Sequence, residues 1–292
     1  MTPTTVALLA LELALVLSAG LAAGRTRARI ALASLLALVA LAIPLAIPPE
    51  LPALRALMAL ASIFPVLRTI EVAADRRTHP TWLRVFAFVA PLDAFAARRV
   101  APSLDLRGLA EGAAWAAIAI AASLSISHAP ITTLRALTMA VVLYTAMEAG
   151  SVIDRALLRA VGVETPLVQD APIRSRSVAE LWSRRWNRAV GGWLRKHTFA
   201  PLARHGHTGL ALVASFAASA ALHFWPIFVA LGLSPAIAMA AFFLVQLLLI
   251  AIEARLGVAR WPAPVAHAWT ITVMLAASPL FTVPVLMLFG LA

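Results

Sequence analysis

Eight runs of roughly 17–25 largely apolar residues set the frame for this chain. They lie at about Pro3–Ala23, Ile30–Ile47, Leu51–Leu67, Leu109–Ser127, Ile131–Gly150, Thr208–Leu231, Ser234–Ala254 and Ala263–Leu291. Each is long enough to cross about 30 Å of hydrocarbon as an α-helix, and a helix satisfies its own backbone donors and acceptors where no water can. The chain is 62% hydrophobic and only 13% charged, against about half and about a quarter for soluble domains, so a soluble fold would lack the polar surface to cover itself. The expected fold class is therefore all-α, a polytopic integral membrane protein with about eight transmembrane helices plus interfacial amphipathic helices. The last run is interrupted by Pro279 and Pro284 and is expected to kink or re-enter. Trp82–Ala97 carries Arg84, Pro91 and Asp93, and is expected to be interfacial or half-inserted and not a ninth span. The leading MTPTT has no positive region of the signal-peptide type, so the first run is expected to remain as a span.

The net charge of +11 would suggest nucleic acid in a soluble protein. Its distribution says otherwise. With the N-terminus outside, 22 of the 24 Lys and Arg fall in loops on the inner side: Arg25, Arg27 and Arg29, the arginines from Arg68 to Arg107, the basic residues from Arg155 to Arg204, and Arg255 with Arg260. Only Arg55 and Arg135 fall outside. That asymmetry is the positive-inside pattern; it leaves no compact basic domain, so no nucleic-acid partner is expected. Lys196 is the single lysine, an arginine bias typical of a GC-rich genome, and the expected location is a bacterial cytoplasmic membrane.

The absence of cysteine excludes disulfides, Cys-ligated metal centres and a cysteine nucleophile. His205 and His207 have no third ligand near them in sequence, so no metal site is expected. No phosphate loop, internal repeat, HExxH pattern or paired embedded carboxylates occur. One integrated membrane domain is expected, in three regions: N-terminal transmembrane helices (1–150), a loop bearing an amphipathic helix (151–207), and C-terminal transmembrane helices (208–292).

Within the long loop, about Asp154–His207, Ser177-Val-Ala-Glu180 has the form of a capping box. At 100° per residue the helix that follows gathers Val178, Leu181, Trp182, Trp186, Val190 and Trp193 on one side, with Arg184, Arg188 and Arg195 on another. Such a helix is expected to lie along the membrane surface with its tryptophans at headgroup depth and Asn187 at the border of its two faces.

His223 is the most informative single residue. It stands about 15 residues into its span, roughly 22 Å along a helix, where an ionisable group is costly and by default functional. Ser215, Ser219 and His223 follow at i, i+4, i+8, so a serine hydroxyl is in place to orient the imidazole. Close packing of small residues is the competing reading for the serines. Gln246 and Glu253 read as interhelical hydrogen-bonding or snorkelling groups, and Glu12 and Glu148 are read with the same restraint.

The stretch Ala171-Pro-Ile-Arg-Ser-Arg-Ser-Val-Ala-Glu-Leu-Trp-Ser-Arg-Arg-Trp-Asn187, then Leu194–Pro201, then Ser219-Ala-Ala-Leu-His223, resembles the wax-synthase branch of the membrane-bound O-acyltransferase (MBOAT) family. Phe242–Gln246 with Glu253, and Trp269-Thr270 with Ser278–Phe281, are similar to it as well. The resemblance covers roughly Pro166–Pro284. It implies an MBOAT-like helical enzyme that moves an acyl group from acyl-CoA to the hydroxyl of a lipophilic alcohol, with His223 as catalytic residue and Asn187 as its second signature. On that reading neutral His223 takes the alcohol proton, Asn187 bonds the carbonyl or its oxyanion, and Ser219 supports the histidine. Arg174, Arg176, Arg184, Arg185 and Arg188 with Trp186 are the expected acyl-CoA-binding residues, anchoring to anionic lipid being the alternative for the arginines. No cofactor is expected beyond acyl-CoA as co-substrate, and the partners are acyl-CoA, the alcohol and membrane lipid. Sterols, terpenoids, diacylglycerol and secondary metabolites are alternative acceptors; a non-catalytic scaffold or lipid transporter is the alternative from another class.

Overall fold

The structure is a computed structural model that describes residues 2–75, 79–90 and 94–292. Arg76 and Arg77, counted above among the inner-loop arginines, and Pro91 and Asp93 lie outside the described residues. Among the described residues seven helices are long and apolar enough to cross a membrane: α1 (Pro3–Ala22), α2 (Arg27–Ala42, continued by a tighter turn to Ala46), α3 (Pro52–Ala74), α5 (Leu106–Ile126), α6 (Thr132–Ala160), α10 (Thr208–Leu231) and α11 (Leu233–Leu256). An eighth span is assembled from α12 (Ala263–Ala277) and α13 (Pro279–Leu288), bent by 44°. The bend falls at Pro279, which has no N–H to give the carbonyl four residues back. The all-α polytopic membrane fold expected from the sequence is thus the fold observed. The strand content among the described residues is a two-residue antiparallel pair, β1 (Arg98–Arg99) with β2 (Val163–Glu164).

The chain divides into two compact units, Met1–Ala96 with Leu222–Ala236, and Ala97–Ala221 with Ile237–Ala292. In the first, α1 to α3 present small residues to one another. Ala33, Ala37 and Ala40 on α2 and Ala59 and Ser62 on α3 are buried at helical spacing, which lets apolar backbones approach closely where no hydrophobic effect drives helices together. Helix α4 (Thr81–Val89) packs on this group through Leu83, Ala87 and Phe88. A Cβ on Gly20 of α1 would stand 3.0 Å from the Val85 Cα. With nine residues, α4 is too short to span. Arg68 satisfies the Ala87 carbonyl at 3.0 Å and pairs with Glu71 at 2.6 Å, so its buried charge is both paired and hydrogen-bonded. Arg29 donates to the Leu21 and Ala22 carbonyls at 3.0 and 2.9 Å, closing the C-terminus of α1 as a basic group does at the negative end of a helix.

In the second unit α5 and α6 form an antiparallel hairpin, and Ile126, Ala136, Met139 and Leu286 make a core between this hairpin and α13. Arg135 reaches from α6 to the Ala129 and Leu291 carbonyls, tying the last residues of the chain to the hairpin. Where α5 and α6 cross, a Cβ on Gly112 would collide with the Ile153 side chain, whereas one on Gly150 of α6 would meet nothing within 4 Å. Gly112→Val is therefore expected to destabilise the hairpin by about 1–3 kcal/mol through overpacking, and Gly150→Ala is expected not to. Thermal unfolding in detergent, followed by intrinsic fluorescence, checks both.

Candidate functional site

Part of the long loop, Ser175–Trp186, packs among the C-terminal spans and does not lie along their ends. Ser177 is the N-cap predicted for it: its Oγ accepts from the Glu180 N–H at 2.9 Å. The Glu180 carboxylate turns back one residue further than in a standard capping box, to the Arg176 N–H at 2.9 Å, and pairs with Arg185 Nε at 2.7 Å. The short helical turn α7 (Val178–Glu180) then widens over Leu181–Arg185, where the Trp186 N–H reaches back five residues to the Leu181 carbonyl at 2.9 Å. At Trp186 the chain is extended, Asn187 is left-handed at φ 37°, and a new helix, α8 (Arg188–Leu194), begins. The continuous amphipathic helix expected from the sequence is in fact broken at Trp186–Asn187. A wide turn ends it, and asparagine, which tolerates the left-handed region better than most residues, restarts it as N-cap, its Oδ1 accepting from the Val190 N–H at 3.3 Å.

The first half of this loop is sunk among the C-terminal spans. Ser175, Val178 and Leu181 are buried in protein. The Glu253 carboxylate of α11 accepts from the Val178 and Ala179 N–H groups at 2.8 and 3.3 Å and from Trp269 Nε1 at 3.0 Å. Two of the donors orphaned at the start of a helix are thereby satisfied by one carboxylate. One turn further on, Trp182 Nε1 donates to Gln246 Oε1 at 3.2 Å. Gln246 is two turns before Glu253, about 10 Å along α11, so the loop descends antiparallel to the span toward its middle. The Trp182 ring meets Trp186, Phe216, Phe242 and Phe243 at 6.0–6.4 Å between centroids. Trp186 in turn stacks on Tyr144 at 6.2 Å, and the Tyr144 hydroxyl donates to Glu148 Oε1 at 2.7 Å. Apolar walls and aromatic edges receive Trp182 and Trp186, which corrects the surface placement for these two. Irregular backbone at such a depth is tolerated where protein surrounds it.

The predicted site residues are distributed as follows. Asn187 is half-buried, and its own N–H donates to Gln169 Oε1 at 3.1 Å. Trp186 belongs to the aromatic cluster. Arg185 is committed to Glu180 and to the Asp170 carbonyl, the latter at 3.1 Å, while Arg174, Arg176, Arg184 and Arg188 are exposed. Ser219 is buried on α10, one turn before His223, which is half-buried on the same helix in the part that groups with the first compact unit. Ser215 does not serve the histidine: its hydroxyl bonds the Ala211 carbonyl at 2.9 Å and the Thr198 hydroxyl at 2.8 Å. Gln246 and Glu253 are interhelical hydrogen-bonding groups, as read from the sequence.

Two residues escaped the sequence reading. His267 Nδ1 donates to the Ser175 carbonyl at 3.0 Å. Gln169 is buried against Asn187; only its place in an otherwise irregular Pro-flanked connection could have singled it out. The two non-glycine residues with left-handed backbone among the described residues are Ala171 and Asn187. They bound the sunken loop, and such conformations persist where the surroundings impose them and tend to gather at functional sites.

Residues 165–245 match the model of the membrane bound O-acyl transferase family. The matched stretch is a little over a quarter of the chain and takes in Gln169, the sunken loop, Asn187, Ser219 and His223. No curated protein matches the chain. The match supports an acyltransferase of the membrane-bound O-acyl type.

Burial favours the neutral form of Glu180, but the bonds from Arg176 and Arg185 outweigh it and hold its carboxyl below the ordinary carboxylate range. A carboxyl lowered in the folded state contributes its stability in full above the unfolded-state value and loses it as the pH falls through the folded one. Tryptophan fluorescence is therefore expected to report loosening of the loop as acid is added from about pH 5 to about pH 3. Glu180→Gln should be less stable at neutral pH and lose less over the same interval; equal slopes for the two proteins contradict the assignment.

Proposed function

We propose that the chain transfers an acyl group from acyl-CoA to the hydroxyl of a lipophilic alcohol, in the manner of a wax-ester synthase. The observation that carries this reading is the sunken loop ending at Trp186-Asn187, inside a matched stretch that also brings an embedded histidine. Nothing in the chemistry calls for a cysteine, and the chain has none. The alcohol oxygen attacks the thioester carbonyl carbon as its proton passes to His223 Nε2 or Nδ1. The tetrahedral oxyanion is held by amide donors, Asn187 Nδ2 among them. The C–S bond then breaks, the ester remains, and the CoA thiolate takes up the proton from the histidine. Ser219, one turn before His223, supports the imidazole.

The exposed guanidinium groups of Arg174, Arg176, Arg184 and Arg188 suit the phosphates of CoA, and Arg185 acts on them by fixing the loop through Glu180. The apolar spans suit a long acyl chain and a long-chain acceptor. With its arginine-rich loops facing the cytoplasm the protein would receive acyl-CoA from that side, the N-terminus lying outside.

Membranes or purified protein supplied with labelled acyl-CoA and a panel of alcohols, from primary fatty alcohols to sterols and diacylglycerol, test the proposal. Ester formation with fatty alcohols is expected, and His223→Ala is expected to lower kcat at least about a hundredfold, as for removal of a general base, with the protein still folded. Full activity in that variant sinks the mechanism. Absence of any ester product with every acceptor would favour a scaffold or transporter.

A further inference from the structure

Beside Asn187 the structure holds a second carboxamide whose donors point at nothing. Gln169 is 5% exposed. Its Oε1 accepts the Asn187 N–H at 3.1 Å. A backbone N–H can only donate, so this contact identifies the oxygen of the amide and leaves Nε2 as the other end. Nε2 is buried without a hydrogen-bond partner, a costly condition for a group with two N–H donors. Its position is held firmly. The Asp170 N–H bonds the Arg185 carbonyl at 2.9 Å and the Arg188 N–H bonds the Val168 carbonyl at 2.8 Å, so backbone bonds on both flanks of Gln169 pin it against the 185–188 break. The Asn187 side chain has the same arrangement: its Oδ1 is taken by the Val190 N–H, which turns Nδ2 away from the start of α8. Both amides therefore spend their oxygens on backbone and keep their nitrogens.

We infer that Gln169 Nε2 is a donor to the carbonyl oxygen of the acyl thioester, acting with Asn187 in a two-amide oxyanion site. This rests on the acyl-transfer reading above and deepens it. A thioester carbonyl oxygen can only accept, has lone pairs for two donors, and gains negative charge when the alcohol adds to its carbon. Neutral donors fixed before reaction by backbone bonds suit that change, because they stabilise the charge without having to reorganise. The guanidinium groups of the loop are the better match for phosphate, which leaves the carboxamides for the carbonyl.

The test uses Gln169→Glu in the full-length protein. The glutamate keeps an oxygen for the Asn187 N–H and the shape of the side chain, but replaces the donor end by an acceptor. With fatty alcohol and acyl-CoA, kcat is expected to fall about a hundredfold or more. Binding of an S-alkyl-CoA thioether, in which a CH2 replaces the carbonyl, should match the wild type, while binding of acyl-CoA weakens. Gln169→Leu, which loses both ends, should lose kcat and also weaken the thioether by loosening the loop. Wild-type kcat in Gln169→Glu, alongside loss of activity in His223→Ala, overturns this inference and leaves the transferase reading standing. Equal weakening of acyl-CoA and thioether by Gln169→Glu also overturns it, since that is the mark of a structural role. If the wild type forms no ester with any acceptor, the parent reading fails and this inference fails with it.

Discussion

A single buried carboxylate fastens the long loop to the spans of the second unit. A chain segment of mixed polarity can enter the space between apolar spans only if its backbone donors find acceptors there, because an unpaired N–H away from water costs about 1–3 kcal/mol. The start of a helix exposes several such groups at once. Glu253 meets two of them and the Trp269 indole with its two oxygens. Gln246 repeats the device two turns deeper with a neutral amide. Between them α11 provides a polar ladder down which the loop is fastened.

Once the loop is held there, the break at Trp186-Asn187 follows from geometry. The wider turn over Leu181–Arg185 and the left-handed Asn187 redirect the chain, so that Trp182 and Trp186 stay in the aromatic cluster while Arg184 and Arg188 are exposed. The same turn makes Asn187 an N-cap and sets Gln169 against it. Capping, backbone strain and the orientation of two carboxamides thus come from one local event. Backbone bonds on both flanks of Gln169 hold this corner in place.

Much of this was legible beforehand, for physical reasons. Span number and class follow from apolar length and the bilayer's thickness, and the eight runs reappear within about three residues, the bent α12–α13 pair included, except that α3 and α6 run on past Leu67 and Gly150 to Ala74 and Ala160. Ser177 was readable as a cap because capping is local chemistry. The course of the loop was not readable. Val178, Leu181, Trp182 and Trp186 make the same stripe whether it faces lipid or protein, and what decides is the pairing of Glu253 and Gln246 with residues some 65–75 positions away in sequence, which no periodicity reveals. Gln169 was missed for a related reason: its importance lies in which of its two amide ends is already occupied. His223 stood out because a lone imidazole in a span of small and apolar residues has no compositional excuse, whereas the part played by Ser215 depended on Thr198, a partner outside its helix.

Hydrogen exchange at the Val178 and Ala179 amides tests most directly whether the loop is held among the spans. Both lie at the first positions of a short helical turn, where no intrahelical bond protects an N–H, and in a loop that sequence alone would place along the membrane surface. Exchange measured residue by residue in the detergent-solubilised protein is predicted to be slow at both, and to become fast in Glu253→Ala while the amides in the middle of α6 stay protected. Fast exchange at Val178 and Ala179 in the wild type would show that the loop is not held among the spans, and the site built on it would not exist.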